Sequence, residues 1–247
     1  MVSRMNNPYR GRSRLIVALD PPANVVDGLS WGLRIVDETR DLVAGYEVGL
    51  PMVIRCGGLS NLARLLDLMG SDKLKIADLK LADISDMMIL SIDPLLEIGF
   101  NAFTAHGFIG YDGGLRELGE YLLRRNALLI TIVSMSHRGG MDLFDKQLDR
   151  LVDLAIRAGS WGLVAPATRP WVLRKLRRLL EERGWRHIRI IAPGIGAQGG
   201  SPGEALRSGA DYEVVGRLIT RDDRPRDRVL EILSIHENIL KSIERWR

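Results

Sequence analysis

The chain alternates short, almost unbroken apolar runs with longer stretches in which apolar residues return every three or four positions. The apolar runs fall at residues 15–19, 43–48, 74–79, 102–105, 128–133, 162–165, 188–192 and 212–215. A run such as Leu15-Ile16-Val17-Ala18-Leu19 has no polar face, as expected of a strand covered on both sides in a parallel sheet. The stretches between them predict helices at 26–39, 59–68, 87–98, 114–124, 146–158, 171–183, 203–208 and 226–245. In the last of these, Val229, Leu230, Ile232, Leu233, Leu240 and Ile243 make an amphipathic closing helix. Eight strand–helix units in strict alternation predict an α/β fold of the single (β/α)8 TIM barrel type. An open, doubly wound sheet is the alternative that counting strands leaves standing.

A length of 247 residues suits one such barrel, so residues 1–247 read as one domain with a polar arm over about residues 1–13. With 46% hydrophobic residues the chain can bury a large core without covalent staples. Cys56 is the only cysteine, which excludes an intramolecular disulfide and predicts a reducing, cytoplasmic setting. No run approaches the length needed to span a bilayer, and the first residues lack the apolar core of a signal peptide. Membrane partners are therefore not expected. The net charge of +4 is spread along helix faces, as in Arg174-Lys175-Leu176-Arg177-Arg178, so a nucleic-acid partner is not expected either.

Polar residues gather where the strands end. Asp20 follows the first strand, Glu47 sits on the second, and Asp78-Leu79-Lys80-Leu81-Ala82-Asp83 closes the third. The fourth leads to His106, the fifth to Ser134 and Ser136-His137-Arg138, and the eighth to Gly216-Arg217. One strand-terminal Asp is usually a cap or turn residue, but a ring of polar groups at these ends is where barrels of this kind do chemistry. Alternation along a strand puts Asp78 and Lys80 on one face, toward the barrel mouth. A structural ion-pair cluster is the plainer explanation of Asp78, Lys80 and Asp83, and their place at the active end favours a functional one. After the seventh strand, Pro193-Gly194-Ile195-Gly196-Ala197-Gln198-Gly199-Gly200 offers backbone N–H groups to an anion, and a short helix from about Pro202 would add its positive end. Arg217 on the next strand end would complete a phosphate cradle.

These segments, with Ile16-Val17-Ala18-Leu19-Asp20, Ser134-Met135-Ser136-His137 and Ala165-Pro166-Ala167-Thr168-Arg169-Pro170, resemble the archaeal type of the orotidine-5′-monophosphate decarboxylase family from Arg14 to about Asp223. The Asp-x-Lys-x-x-Asp motif is common to a wider superfamily of sugar-phosphate enzymes, whereas the glycine-rich loop and the Pro-Ala-Thr-Arg-Pro segment are particular to the orotidylate branch. The resemblance implies that Lys80 protonates C6 of the pyrimidine as carbon dioxide leaves, with Asp78 beside the substrate carboxylate. It implies that Asp83 reaches the ribose of the ligand in a neighbouring subunit, and hence a homodimer. Asp20 would contact a ribose hydroxyl, Ser136 the pyrimidine, and Gln198 with Arg217 the phosphate, with Pro193, Gly199 and Gly216 in the surrounding backbone. The implied partner is a phosphorylated small molecule, a nucleotide, and no cofactor is implied.

Two positions depart from that pattern. The family's strand-2 motif is Lys-x-Gly-x-Pro, and this chain has Glu47-Val48-Gly49-Leu50-Pro51. After Asp83 the family has a proline and then a threonine that touches the partner's ligand, where this chain has Ile84-Ser85-Asp86-Met87. Sugar-phosphate members carry Glu on strand 2, where it binds Mg2+ together with the first Asp of the shared motif. The alternatives to orotidylate decarboxylation are therefore a Mg2+-dependent sugar-phosphate decarboxylase or hexulose-phosphate synthase, with Glu47 and Asp78 as metal ligands, and a non-catalytic nucleotide-binding relative.

Overall fold

In the computed structural model, which describes residues 13–244, eight parallel strands close into a barrel. They are β1 (Leu15–Leu19), β2 (Gly45–Gly49), β3 (Leu74–Leu81), β4 (Ala102–His106), β5 (Leu128–Ile132), β6 (Gly162–Val164), β7 (Arg189–Pro193) and β8 (Tyr212–Val215). Each pairs with its sequence neighbours, and β1 pairs with β8 through Leu15 opposite Glu213 to complete the ring. Closure leaves no sheet edge, so every strand is covered by its neighbours and by the helical layer outside. That is why β1, β4 and β5 are buried at every residue and why their sequences show no alternation. The expectation of a closed (β/α)8 barrel holds.

The helical layer consists of α1 (Gly28–Thr39), α2 (Leu50–Arg55), α3 (Leu59–Met69), α4 (Ser85–Glu97), α5 (Arg116–Arg124), α6 (Gly140–Leu143), α7 (Leu148–Arg157), α8 (Pro170–Glu182), α9 (Glu204–Arg207), α10 (Arg217–Thr220) and α11 (Pro225–Glu244). The eight expected helices are present with ends shifted by a few residues. Helices α2, α6 and α10 were not expected, because at four to six residues they are too short to show a period. In α11 the inward stripe is Val229, Ile232, His236 and Ile239, while Leu230 turns outward, about a hundred degrees round the axis from Val229. No described helix is long and apolar enough to cross a membrane. The polar arm lies outside the described residues, except for Ser13.

The barrel is irregular at the end of β3. Its pairing with β4 shifts register between Ala77 and Leu81, and Lys80 within that stretch has a positive φ of 50°. A non-glycine residue in the left-handed region is strained, and such strain persists only where surrounding contacts hold it.

Candidate active site

The alternation of strand side chains sets one polar ring at the C-terminal mouth. Residues Ala18 and Asp20 of the first unit, Glu47 and Gly49 of the second, and Asp78 and Lys80 of the third all face a cavity of about 690 Å³. Ser134 and Ser136 face it from the fifth unit, Pro193 and Gln198 from the seventh, and Gly216 and Arg217 from the eighth. A Cβ at Gly49 would overlap the carboxylate of Asp20 and force it to shift.

The centre of the charged cluster is Asp78. One of its oxygens accepts from the Lys80 ammonium and the other from Thr104 Oγ1 at 2.8 Å. The Thr104 hydroxyl oxygen also accepts the Lys80 backbone N–H at 3.0 Å. A single β4 hydroxyl thus fixes both the carboxylate and the strained backbone that carries the lysine. Burial works against the ammonium, but Asp78, Glu47 and Asp20 outweigh it and raise the Lys80 pKa, so the lysine is a cation at neutral pH. The two remaining carboxyls also shift upward, which for an acid favours the neutral form. Burial first, then repulsion from Asp78 and Asp20, lifts Glu47 well above the ordinary 4.5, against the pull of Lys80. Asp20 is open to the cavity yet closely surrounded by protein, and desolvation followed by repulsion from Asp78 raises its pKa too. Arg55 does not offset this excess of acid, since its guanidinium donates to the carbonyls of Pro22 and Ala23 at 2.8 Å and steadies the loop after β1. Arg138 is exposed and does not line the cavity.

This arrangement is a poor fit to a divalent cation. Mg2+ selects ionised oxygen ligands free to reach it, but one oxygen of Asp78 is already held by the Lys80 ammonium and the other by the Thr104 hydroxyl. Among the described residues, no group of three His, Cys, Asp or Glu side chains is placed to hold a metal ion.

At the opposite end of the cavity the loop after β7 folds on itself. Gly196 N–H donates to Gly200 O at 2.7 Å and Gly199 N–H to Gly196 O at 2.8 Å. Gly194, Gly196 and Gly199 all have positive φ, which glycine adopts without penalty. Gly199 shapes this turn but does not itself line the cavity. The short helix expected to lend its positive end to the anion does not do so. The N–H groups of Gly203 and Ala205 at the start of α9 donate to the fully buried Glu213 carboxylate at 2.8 and 3.0 Å, and Glu213 also pairs with His236 at 2.7 Å. The cation at this end comes instead from Arg217 on α10, which packs on the loop through Leu218 against Gly196.

Asp83 lies outside the cavity and is exposed, with its carboxylate accepting the Ile84 N–H at 2.7 Å. His106 is buried behind the site, stacked on Phe108 with 4.7 Å between ring centroids. Sequence reasoning missed Thr104, although it stands two residues before His106 on the inward face of β4. It also assigned no role to the buried Arg169, whose guanidinium donates to Asp145 at 2.6 Å, while Ser134 donates to the same carboxylate at 2.7 Å. These contacts brace the segment that carries Ser136.

A closed barrel whose mouth sets a lysine–carboxylate cluster against a glycine-rich loop and an arginine has the layout of the barrel enzymes that act on phosphorylated small molecules. The chain belongs to the orotidine 5′-phosphate decarboxylase / HUMPS family, which matches it over residues 13–232. It is 44% identical over 225 residues to an orotidine 5′-phosphate decarboxylase of Aeropyrum pernix, covering 90% of this chain and 88% of that one. The crystal structure of orotidine 5′-monophosphate decarboxylase from Sulfolobus solfataricus matches with a TM-score of 0.78 at 32% identity, covering 93% of this chain and all of the other. That from Methanocaldococcus jannaschii, complexed with the inhibitor BMP, matches at 0.78 and 27%, covering 90% and 98%.

Proposed function

We propose that the protein is a carbon–carbon lyase that converts orotidine 5′-monophosphate to uridine 5′-monophosphate in pyrimidine synthesis, without a metal. The observation that carries this reading is the pairing of Lys80 with Asp78 at one end of a cavity whose other end is built for an anion. With the phosphate held between the glycine loop and Arg217, the substrate carboxylate lies against Asp78. Repulsion between the two carboxylates is relieved as carbon dioxide leaves, and the electron pair left on C6 faces the Lys80 ammonium. That charge stabilises the developing carbanion and then supplies its proton. Binding at the remote phosphate holds the reacting carbon in place. With no cofactor to share the electrons, these effects together must provide the upper part of the roughly 8–23 kcal/mol typical of enzymes.

The reading includes a homodimer. Asp83 is exposed and lies outside its own cavity, and beside it Ile84, Met87 and Leu90 expose apolar surface. A second copy seated there would cover that surface and receive Asp83 at its own ligand. A reducing, cytoplasmic setting belongs to the same reading, since a chain with one cysteine makes no use of an internal disulfide.

The test is turnover of orotidine 5′-monophosphate by the purified protein after exhaustive chelation, followed as uridine 5′-monophosphate and carbon dioxide. Activity is expected to survive. Loss on chelation, with recovery on adding Mg2+, would instead assign Glu47 and Asp78 to a metal. The variant Lys80→Ala is expected to lose turnover while still binding uridine 5′-monophosphate, because the ammonium matters most once the carbanion forms. Near-normal turnover in that variant would remove Lys80 as the proton donor.

A further inference from the structure

We propose that Arg221 is a second binding residue for the phosphate, so that the dianion is held by two guanidinium groups one helical turn apart. The inference rests on the reading of the cavity as a site for a nucleotide monophosphate and concerns a residue outside the motifs of that reading.

Helix α10 is fixed in rotation by Ile219, which is fully buried, and by Leu218, which packs on Gly196 of the glycine loop. Arg217 and Arg221 are four residues apart and therefore share the face that these contacts leave free. Both line the cavity, as do Gly194, Ile195, Ala197 and Gln198 of the glycine loop. Neither guanidinium has an ion pair or side-chain hydrogen bond among the described residues.

Their neighbours behave differently. Arg224 pairs with Asp227, Arg226 with Asp41 and Arg228 with Asp222, the last at 2.9 Å. Asp222 is adjacent to Arg221 in sequence, yet its carboxylate turns to Arg228. Two cations at this spacing repel one another. A dianionic phosphate monoester placed between them would remove that repulsion and match their charge. The start of α9 adds no positive potential to the cradle, because Glu213 takes its N–H groups. Arg221 supplies the charge that this helix end does not.

The experiment measures binding of uridine 5′-monophosphate and of uridine to the full chain and to Arg221→Ala, Arg221→Lys and Arg217→Ala, with orotidylate turnover on the same samples and circular dichroism as a check of folding. Arg221→Ala is expected to weaken the nucleotide, and to raise its KM, by about ten- to a hundredfold, the range for a charged hydrogen bond, with uridine unchanged. Arg221→Lys keeps the charge without the planar fork and should recover part of the loss. Nucleotide affinity equal to wild type in Arg221→Ala overturns the proposal, as does an equal loss for uridine, which would mark a structural role. If the wild-type protein neither turns over orotidylate nor binds the nucleotide, the functional reading fails separately. Inorganic phosphate then serves as the probe: weaker binding in Arg221→Ala upholds the cation pair, and equal binding overturns it.

Discussion

Glu47 stands where the strand-2 motif expected of the family carries a lysine, and its environment determines what it does to the protein. Its carboxyl is raised well above 4.5, first by burial and then by Asp78 and Asp20. A group whose pKa rises on folding adds stability that is complete below its unfolded value and is lost as pH climbs through the folded value. Glu47→Gln preserves the shape and removes the proton. The variant is therefore expected to match the wild type near pH 4.5 and to become progressively more heat-stable than it toward neutrality. Melting temperatures of both proteins across that range are the check, and a pH-independent difference would sink the assignment. Arg217 makes the complementary case, a charge placed to meet ligand instead of protein. Arg217→Ala should weaken uridine 5′-monophosphate by roughly 2–5 kcal/mol and leave uridine untouched. Equal losses for the two ligands would make Arg217 structural.

At the scale of elements, β4 acts as the brace of β3. Lys80 holds a φ of 50° because its N–H reaches Thr104 Oγ1 and its ammonium reaches Asp78, which Thr104 also holds. Thr104→Val keeps the volume and leaves a part-buried N–H and a buried carboxylate oxygen each short of a partner. The expected cost is about 1–3 kcal/mol, or roughly 2–4 °C in Tm for each kcal/mol in a chain of this size. Turnover should fall as well, since the lysine loses its fixed position. Wild-type Tm and kcat in this variant would show that β3 needs no such support. Helix α9 illustrates the opposite outcome for an element. Its sequence position made it a candidate anion site, and the buried Glu213 on β8, itself paired with His236 of α11, occupies its amides from behind.

For the whole molecule the prediction concerns assembly. Asp83 and the exposed Ile84, Met87 and Leu90 lie together outside the cavity, so sedimentation is expected to show a dimer at assay concentrations. Mixing Lys80→Ala with Asp83→Ala subunits should then recover activity that neither has alone, because each mixed dimer would carry one intact composite site. A fully active monomer, or mixtures no more active than their parents, would refute the shared site.

The barrel itself was legible in the chain because burial on both faces writes each strand as an apolar run, and because polar residues at strand ends are exceptional against that background. Asp20, Glu47, Asp78, Lys80, Ser136, Gln198 and Arg217 stood out for that reason, and the structure gathers all of them around one cavity. Local sequence could not show what depends on contacts between distant segments. Thr104 reads as one more β-branched residue until β4 lies beside β3, and Glu213 sits unexplained within an apolar run until α9 and α11 close over it. The short helix α10 carries too few residues for a period, so the shared face of Arg217 and Arg221 emerged only with the packing of Ile219 and Leu218. Periodicity records which face of an element is buried; the partner that meets a polar group there is set by strand register and helix docking, which are properties of the closed barrel.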